Sequence, residues 1–597
     1  MIVGIDVGGT YTDAVLLERT GDGEARVVAF AKRPTRAEDL AEGIMSAFDA
    51  LFQAGCPGAP GPSGGRGIER VTVSTTLCTN AVVSGNLAPV AAFVMPGPGV
   101  SMRDLRSMVG GFHPGVELAV LRGCVDHRGR EVELLDHGEV QQAVDAALGR
   151  GFREFAVVGK FSTRNACQEQ AVARTIADAC EARGMTAHGR GDDGVFHLTM
   201  GHTISGSLNF PRRASTAILN SAVGGVFDRF LSALMTAFRE RGVDCPIYIL
   251  KADGGTMEAA LSSGSAVKTV LSGPAASIVG SMSLAPEAWR GSGVTLDIGG
   301  TTTDVSFFVN GSPLFEPKGA EIGGRKTLVR ALYSRSIGLG GDSPIRSAAG
   351  RPRVEVVAHE PAAAFRGTGP TLTDALVVCG MTHVGNGDRS FAAISREAGA
   401  VGFQPEEFAA QAVAAAVALV TDFIRTLLDG LSKAPAYTVR EVVSGRAIEP
   451  ACVTGIGAPA AALVPLIARE LGVQAVVPDL APVGNAIGAA LAVPTREVTL
   501  RIDTAEGTVA VAEDGLKERL GRRHIGEEEA AALAREYAFR RAGWRRAGRE
   551  GGGEPPADAE VTEMEWFNVV RDFHTVGKIF DVKAQVRPSA LRLDLLK

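Results

Sequence analysis

Hydrophobic positions along the chain fall into two alternating patterns. Short apolar runs, at 2–7, 13–17, 71–75, 155–161 (FAVVGKF) and 247–251 (IYILK), read as strands. Between them apolar residues recur at helical spacing. Over 35–53 the positions Leu40, Ile44, Ala47, Phe48 and Leu51 line one face, with Thr35 and Glu38 at capping-box spacing. Further helices are expected over 138–149 and 166–183. GCPGAPGPSGGRG (55–67) is a loop. Such alternation predicts a layered α/β architecture.

After residue 215 the pattern restarts. A helical stretch over 215–240 leads to the strand at 247–251, the turn ADGG (252–255), a glycine-containing helix near 274–285, and a strand ending GVTLDIGG with VSFFV returning. Helices follow over 406–431, 458–471 and 484–492, with the strand AVVP (475–478) between the last two. Beyond about 495 the chain turns β-rich, with an Arg/Gly/Pro-rich linker over 542–558 and an alternating final segment, FDVKAQVRPSALRLD, expected as an edge strand. Three segments result: 1–195, 196–494 and 495–597.

One repeat organises this picture. DVGGTYTD (6–13) and DIGGTTTD (297–304) agree at six of eight positions, each between an apolar strand before and one after. A phosphate tail needs backbone N–H groups aimed at it, and glycine permits the close approach, with positive φ expected at Gly8, Gly9, Gly299 and Gly300. Thr10, Thr12, Thr301, Thr302 and Thr303 add hydroxyl donors. Anionic phosphates would repel Asp6, Asp13, Asp297 and Asp304 unless a cation intervenes, so the pattern implies Mg²⁺ held largely through water. One of these carboxylates could also orient or deprotonate an attacking water. This motif is not the Rossmann Gly-x-Gly-x-x-Gly pattern, and no Walker A sequence occurs.

Composition narrows the partners. Sixty-one basic against 67 acidic residues give a net charge of −6, which makes nucleic acid a poor partner. Eight cysteines without a Cys-x-x-Cys pair argue against a disulfide framework or cysteine zinc site. The first apolar run is cut by Asp6 and is too short for a signal peptide. No run approaches the ~20 apolar residues of a membrane span. A soluble cytoplasmic protein is the expectation.

Two such motifs, one per half, resemble the phosphate-1 and phosphate-2 signatures of the actin/Hsp70/sugar-kinase superfamily. The resemblance implies a two-lobed actin-like ATPase (duplicated ribonuclease H-like) fold with inserted α/β segments and a small C-terminal β-rich module. It places TGIGAPA (454–460) at the adenosine site, with Gly455 and Gly457 near base or ribose, and GNAIGAA (484–490) at an interlobe connection. Further segments, STTLCTNAVVSG (74–85), RGCVDHRGREVELLD (122–136), HTISGSLNFPRRASTAILN (202–220), LKADGG (250–255), AVKTVLSGPAASIVG (266–280), IGLGGDS (337–343) and PTLTDALVVCG (370–380), resemble the hydantoinase/oxoprolinase family in one consistent order. The chain departs from that family in a short region after 490 and in GIGAPA where a GGAGP type is usual.

This resemblance implies ATP-dependent chemistry on amides or carbonyls: opening of hydantoin- or 5-oxoproline-like rings, or carboxylation of ketones within a larger complex. Asp6 and Asp297 are the expected catalytic and Mg²⁺-proximal residues, and Thr10 and Thr301 the expected phosphate contacts. Ser74, Thr75, Thr76, Thr79 and Asn80 form a polar cluster suited to a small polar substrate, or a hydroxyl-rich turn. Asp253 either lines the cleft or makes a tight Asp-Gly turn. Arg212 and Arg213 either bind a carboxylate or lie paired on the surface. His197 and His202 lack metal-ligand spacing, and Cys78 reads as a small buried thiol rather than a nucleophile. A hydantoinase B-like partner subunit and a homo-oligomer are expected, with an ATP-driven activator as the non-catalytic alternative.

Overall fold

The computed structural model describes residues 1–20, 24–36, 39–53, 67–187, 194–433, 448–521, 525–542, 559–587 and 593. Glu38 of the expected capping box, most of the 55–67 loop and nearly all of the 542–558 linker lie outside them.

Two six-stranded sheets carry the fold. In the first, β1 (Ile2–Val7) and β2 (Tyr11–Arg19) form an antiparallel hairpin extended by β3 (Ala25–Pro34). On the other side β4 (Arg70–Thr75) runs parallel to β1, followed by β5 (Ile247–Leu250) and the edge strand β6 (Thr256–Glu258). β1 and β4 are buried along nearly their whole length, which is why they read as continuous apolar runs rather than alternating ones. In the second sheet β7 (Gly293–Ile298) and β8 (Thr303–Val309) repeat the hairpin, and β9 (Cys452–Ile456) runs parallel to β7 as β4 does to β1.

The sheets do not divide at residue 195/196. The first sheet takes β5 and β6 from residues 247–258, with Ile249 beside Val73. A parallel four-stranded sheet (197–200, 154–159, 90–95, 116–120) is inserted between β4 and β5 and itself crosses that point.

Two helices join the halves. α1 (Leu77–Val83) follows β4, and α2 (Ser272–Leu284), α3 (Ala460–Leu471) and α4 (Gly484–Leu491) come later in the chain. α2 and α4 cross at backbone distance. A Cβ added at Gly488 would stand 2.1 Å from the Ala276 carbonyl, and one at Gly280 would stand 2.1 Å from that of Gly484. α4 also rides on β1, since a Cβ at Gly4 would meet Ala486 O at 2.2 Å.

Helix Pro405–Lys433 is long and apolar enough to cross a membrane by length and composition, contrary to the sequence reading. Its inner face (Phe408, Ala412, Val413, Ala416, Val420) is buried in the second half's core, and Glu406, Asp422 and Arg425 lie off that face.

The C-terminal module is a five-stranded antiparallel sheet carrying helix Glu527–Arg541. His574–Val586 is not the expected edge strand. It is paired on both sides, with 497–503 and with 559–571, and buries Phe580, Val582, Ala584 and Val586. Its alternation reports one buried face, not a free edge.

Candidate functional site

The two repeated motifs have the same backbone geometry. Asp6 faces Asp13 across the first hairpin and Asp297 faces Asp304 across the second, in matching register. Each turn closes with one bond, Gly8 N–H to Tyr11 O (3.0 Å) and Gly299 N–H to Thr302 O (2.9 Å). The turns face each other: the Thr10 hydroxyl lies 3.6 Å from where a Cβ at Gly300 would sit. Backbone N–H groups of Gly9, Thr10, Gly300 and Thr301 serve no hydrogen bond among the described residues. A Cβ at Gly9 would meet nothing within 4 Å.

The expected positive φ is absent at all four motif glycines. At two of them the requirement is space: an added Cβ would come within 3.0 Å of Tyr11 O at Gly8 and within 2.5 Å of the Asp342 carboxylate at Gly300, whereas Gly9 and Gly299 have room for one.

Carboxylates concentrate below the turns. Asp6 is only 4% exposed, and its Oδ1 has no hydrogen-bond partner. Burial, reinforced by the charges of Asp13 and Asp297 and opposed by the polar side chains of Ser74 and Asn485, lifts its pKa to about 7. Burial likewise raises Asp13, opposed by Lys32, which pairs with it at 2.8 Å. Asp304 rises to about 7 through burial and the charge of Asp297, against a hydrogen bond from Ser336. Asp297 accepts from Ser277 of α2 (2.5 Å) and Asn485 of α4 (3.0 Å). Crowded carboxylates with an orphaned buried oxygen fit a divalent cation, and the unused amides above them fit phosphate oxygens. Asp6 and Asp297, whose charges interact across the two hairpins, could hold such a cation.

Not every motif hydroxyl faces the gap. Thr12 is buried with its hydroxyl 3.1 Å from that of Thr35, and Thr303 donates to Leu339 O (2.7 Å). Thr10 is exposed, and Thr301 and Thr302 are half-buried. Loop 338–343 closes over the second turn through Gly341 N–H to Gly299 O (3.0 Å) and Asp342 N–H to Gly300 O (2.7 Å). This brings Asp342 to the site, its carboxyl raised by burial. Asp342 and Asn485 both lie in segments noted in the sequence, IGLGGDS and GNAIGAA, but only tertiary contacts bring them to the hairpins.

Ser74 is buried opposite Asp6 in the β1–β4 register. The rest of that cluster is engaged locally. Thr75 Oγ1 accepts from Leu77 N–H (3.2 Å), Thr76 donates to Val7 O (3.4 Å), Asn80 donates to Thr76 Oγ1 (3.3 Å), and Thr79 Oγ1 accepts from Leu271 N–H (3.0 Å). Gly455 and Gly457 lie at the end of β9. A Cβ at Gly455 would strike Val464 of α3 at 2.4 Å; one at Gly457, where φ is +90°, would stand 2.2 Å from Ile298 O and 3.1 Å from Asp297 Oδ1. By topology β9–α3 in the second half corresponds to β4–α1 in the first.

Asp253 is elsewhere. It makes the tight turn to Gly255 N–H (3.0 Å) and binds Lys251 (3.0 Å) and Thr495 (2.9 Å), lining a different cavity beside the C-terminal module. Arg213 is not a surface residue. It is fully buried and donates to the carbonyls of Ser207, Gly159 and Lys160. Arg212 donates to carbonyls of Lys318, Gly319 and Thr327, so neither arginine forms an open carboxylate clamp. His202 is buried against Glu169 (2.5 Å), and His197 lies between Glu154 (2.8 Å) and Asp228 (3.0 Å). No group of three or more metal-ligating side chains gathers among the described residues by direct coordination geometry. Cys78 is fully buried, which pushes its thiol up to about 12.

Two family models match the chain: the hydantoinase/oxoprolinase N-terminal region over residues 2–180 and hydantoinase/oxoprolinase over 213–498. The chain belongs to the hydantoinase/oxoprolinase family. Among curated relatives, the acetophenone carboxylase gamma subunit of Aromatoleum aromaticum is 25% identical over 63% of this chain and 53% of its own length. The caprolactamase alpha subunit of Pseudomonas jessenii is 22% identical over 57% and 48%. The chain thus spans about half the length of the curated relatives it matches. A nucleotide-free acetone carboxylase structure superposes with TM-score 0.66 over 99% of this chain and 88% of that one, at 18% identity. An ATP-dependent caprolactamase from P. jessenii gives 0.65 over the same shares, at 19% identity. With the duplicated hairpin-plus-parallel-strand topology, these likenesses establish the two-lobed actin-like fold for this family member.

Proposed function

We propose that this chain binds ATP with Mg²⁺ between its two hairpins and spends it on opening a cyclic amide. The observation that carries the reading is the facing pair of turns, with four unused backbone donors above carboxylates that interact across the lobes. Gly8, Gly9, Thr10, Gly299, Gly300, Thr301 and Thr302 cradle the phosphates, and Asp342 stands beside them. Asp6 and Asp297 would hold Mg²⁺, which would supply positive charge to offset that developing on the transferring phosphoryl group.

A cyclic amide resists water because its carbonyl is resonance-stabilised. In the proposed reaction the amide oxygen attacks the γ-phosphorus and ADP leaves. Water then adds to the activated carbon, and the ring C–N bond breaks as nitrogen takes a proton. A second water cleaves the resulting acyl phosphate to carboxylate and phosphate. The chain's own work is alignment: the hairpins hold the γ-phosphoryl in line, and the unpartnered Asp6 Oδ1 accepts a proton or orients the incoming water. Ser74, opposite Asp6 in the strand register, favours the charged form of that carboxylate.

A second reading is the ATP-hydrolysing subunit of a ketone carboxylase, favoured by the likeness to an acetophenone carboxylase subunit. Under both, a hydantoinase B-like partner subunit and self-association are proposed, since both curated relatives are named as subunits. The test is ATP consumption with product identification by mass spectrometry, across hydantoin, 5-oxoproline, caprolactam, and acetone or acetophenone with bicarbonate. Ring-opened product supports the first reading and carboxylated ketone the second. Asp6→Ala and Asp297→Ala should abolish turnover with folding retained; wild-type turnover in both removes the catalytic assignment.

A further inference from the structure

A second cavity, of about 540 Å³, lies along β6 where the first half meets the C-terminal module. None of the hairpin residues line it. Its edge strand is three strand positions from β1 in the sheet, about 14 Å away at ordinary strand spacing. Six cationic side chains line it against four carboxylates.

The imbalance sharpens when pairings are followed. Asp253 is neutralised by Lys251 (3.0 Å), and Glu497 by Lys583 (3.2 Å). Arg541 pairs with Asp514, and Arg70 donates to Ala490 O at 2.5 Å. Lys268, Arg330 and Arg496 donate no side-chain hydrogen bond among the described residues. Arg330 stacks on Phe315, 3.8 Å from the ring centre. Burial and the neighbouring charges of Arg496 and Lys251 lower Lys268 to about 8, outweighing the opposing charges of Glu497 and Glu513. Thr256, 1% exposed, contributes a hydroxyl without a partner to the same wall. An apolar stretch of the lining comes from Ile204, Met257, Leu328 and Val329, and the carboxylates of Glu258 and Glu513 also reach the cavity.

From this arrangement we infer that the cavity is a binding site for a small organic carboxylate, its headgroup taken by Lys268, Arg330 and Arg496 and its body lying on the apolar wall. Three cations that make no side-chain hydrogen bond, converging on one cavity, suit an anion, since charge-assisted bonds to oxyanions are the strong ones. The apolar wall selects a carbon-bearing ligand over a bare inorganic ion. Because Arg496 belongs to the chain entering the C-terminal module and Lys268 to the first half, an occupant ties the two together.

The test is calorimetric titration of the full chain with acetate, glutarate and phenylacetate, with glutaramide and inorganic phosphate as comparison probes. At least one carboxylate should bind saturably, and its affinity should fall about tenfold or more in Lys268→Gln and in the exposed-site variant Arg496→Gln. Asp297→Ala should retain this binding, so the site stands or falls apart from the nucleotide reading. The proposal is overturned if no carboxylate saturates the wild type. It is equally overturned if glutaramide or phosphate binds more tightly than the carboxylates, or if both variants bind like the wild type.

Discussion

Replacement of Gly9 by alanine separates folding from ligand binding at the first turn. Gly9 is exposed, its φ lies outside the left-handed region, and a Cβ built there meets no atom within 4 Å. The folded chain therefore accommodates the methyl, and reduced freedom of the unfolded chain should leave stability unchanged or raise it by about 0.4–1 kcal/mol. The bound polyphosphate does not have that tolerance. An oxygen accepting from the Gly9 or Thr10 amide sits at about 2.9 Å from nitrogen, within the space the methyl would take. Loss of one or two charge-assisted hydrogen bonds, about 1.5–3 kcal/mol each, weakens ATP binding by roughly 10-fold to several hundred-fold or more. Thermal unfolding without nucleotide, paired with titration of a non-hydrolysable ATP analogue and Mg²⁺, reads both effects. Wild-type affinity in Gly9→Ala refutes phosphate contact at this turn. A large loss of stability without nucleotide refutes the open-space argument.

Other substitutions probe the frame. Gly488→Ala should lower the urea midpoint by an amount equivalent to about 1–3 kcal/mol or more, because the new Cβ stands 2.1 Å from the Ala276 carbonyl and only separation of the α2–α4 crossing relieves it. His197 gives a pH signature. Burial disfavours its charge, but hydrogen bonds and charges of Asp228 and Glu154 prevail and raise it to about 9. Its folded value exceeds its unfolded one of about 6.5, so its stabilisation, about 3 kcal/mol, is fully present below pH 6.5 and lost as pH rises through 9. His197→Gln should flatten the unfolding midpoint over that window; an unchanged profile contradicts the assignment. Cys78→Ala should keep full turnover, and the native thiol should resist alkylation at pH 8, since burial holds it near 12.

The hairpins were legible because the motif is local: aspartate, glycines and threonine lie within eight consecutive residues, and the strands on either side are apolar. Helix and strand positions in the interior, such as 460–471 and 247–250, followed from the same periodicity. The reading failed where meaning depends on what lies across the fold. Arg212 and Arg213 look like a surface pair in sequence, yet adjacent positions on a helix point apart, and Arg213 enters the core against three carbonyls. Asp253 follows a strand of the first sheet but at its outer edge, so it joins another cavity. Asp342 reaches the site only because loop 338–343 hydrogen-bonds to the second turn. Positive φ is expected from the motif, yet none of its glycines adopts it, and crowding demands glycine only at Gly8 and Gly300.

The two lobes share a backbone plan but not an electrostatic one. Asp13 has a lysine at 2.8 Å, whereas its counterpart Asp304 has only a serine hydroxyl. A linear polyanion laid between them would meet a compensated carboxylate at one end and an uncompensated one at the other. Gene duplication can supply two matching grips, and a single cation on one of them is enough to give the cargo a head and a tail.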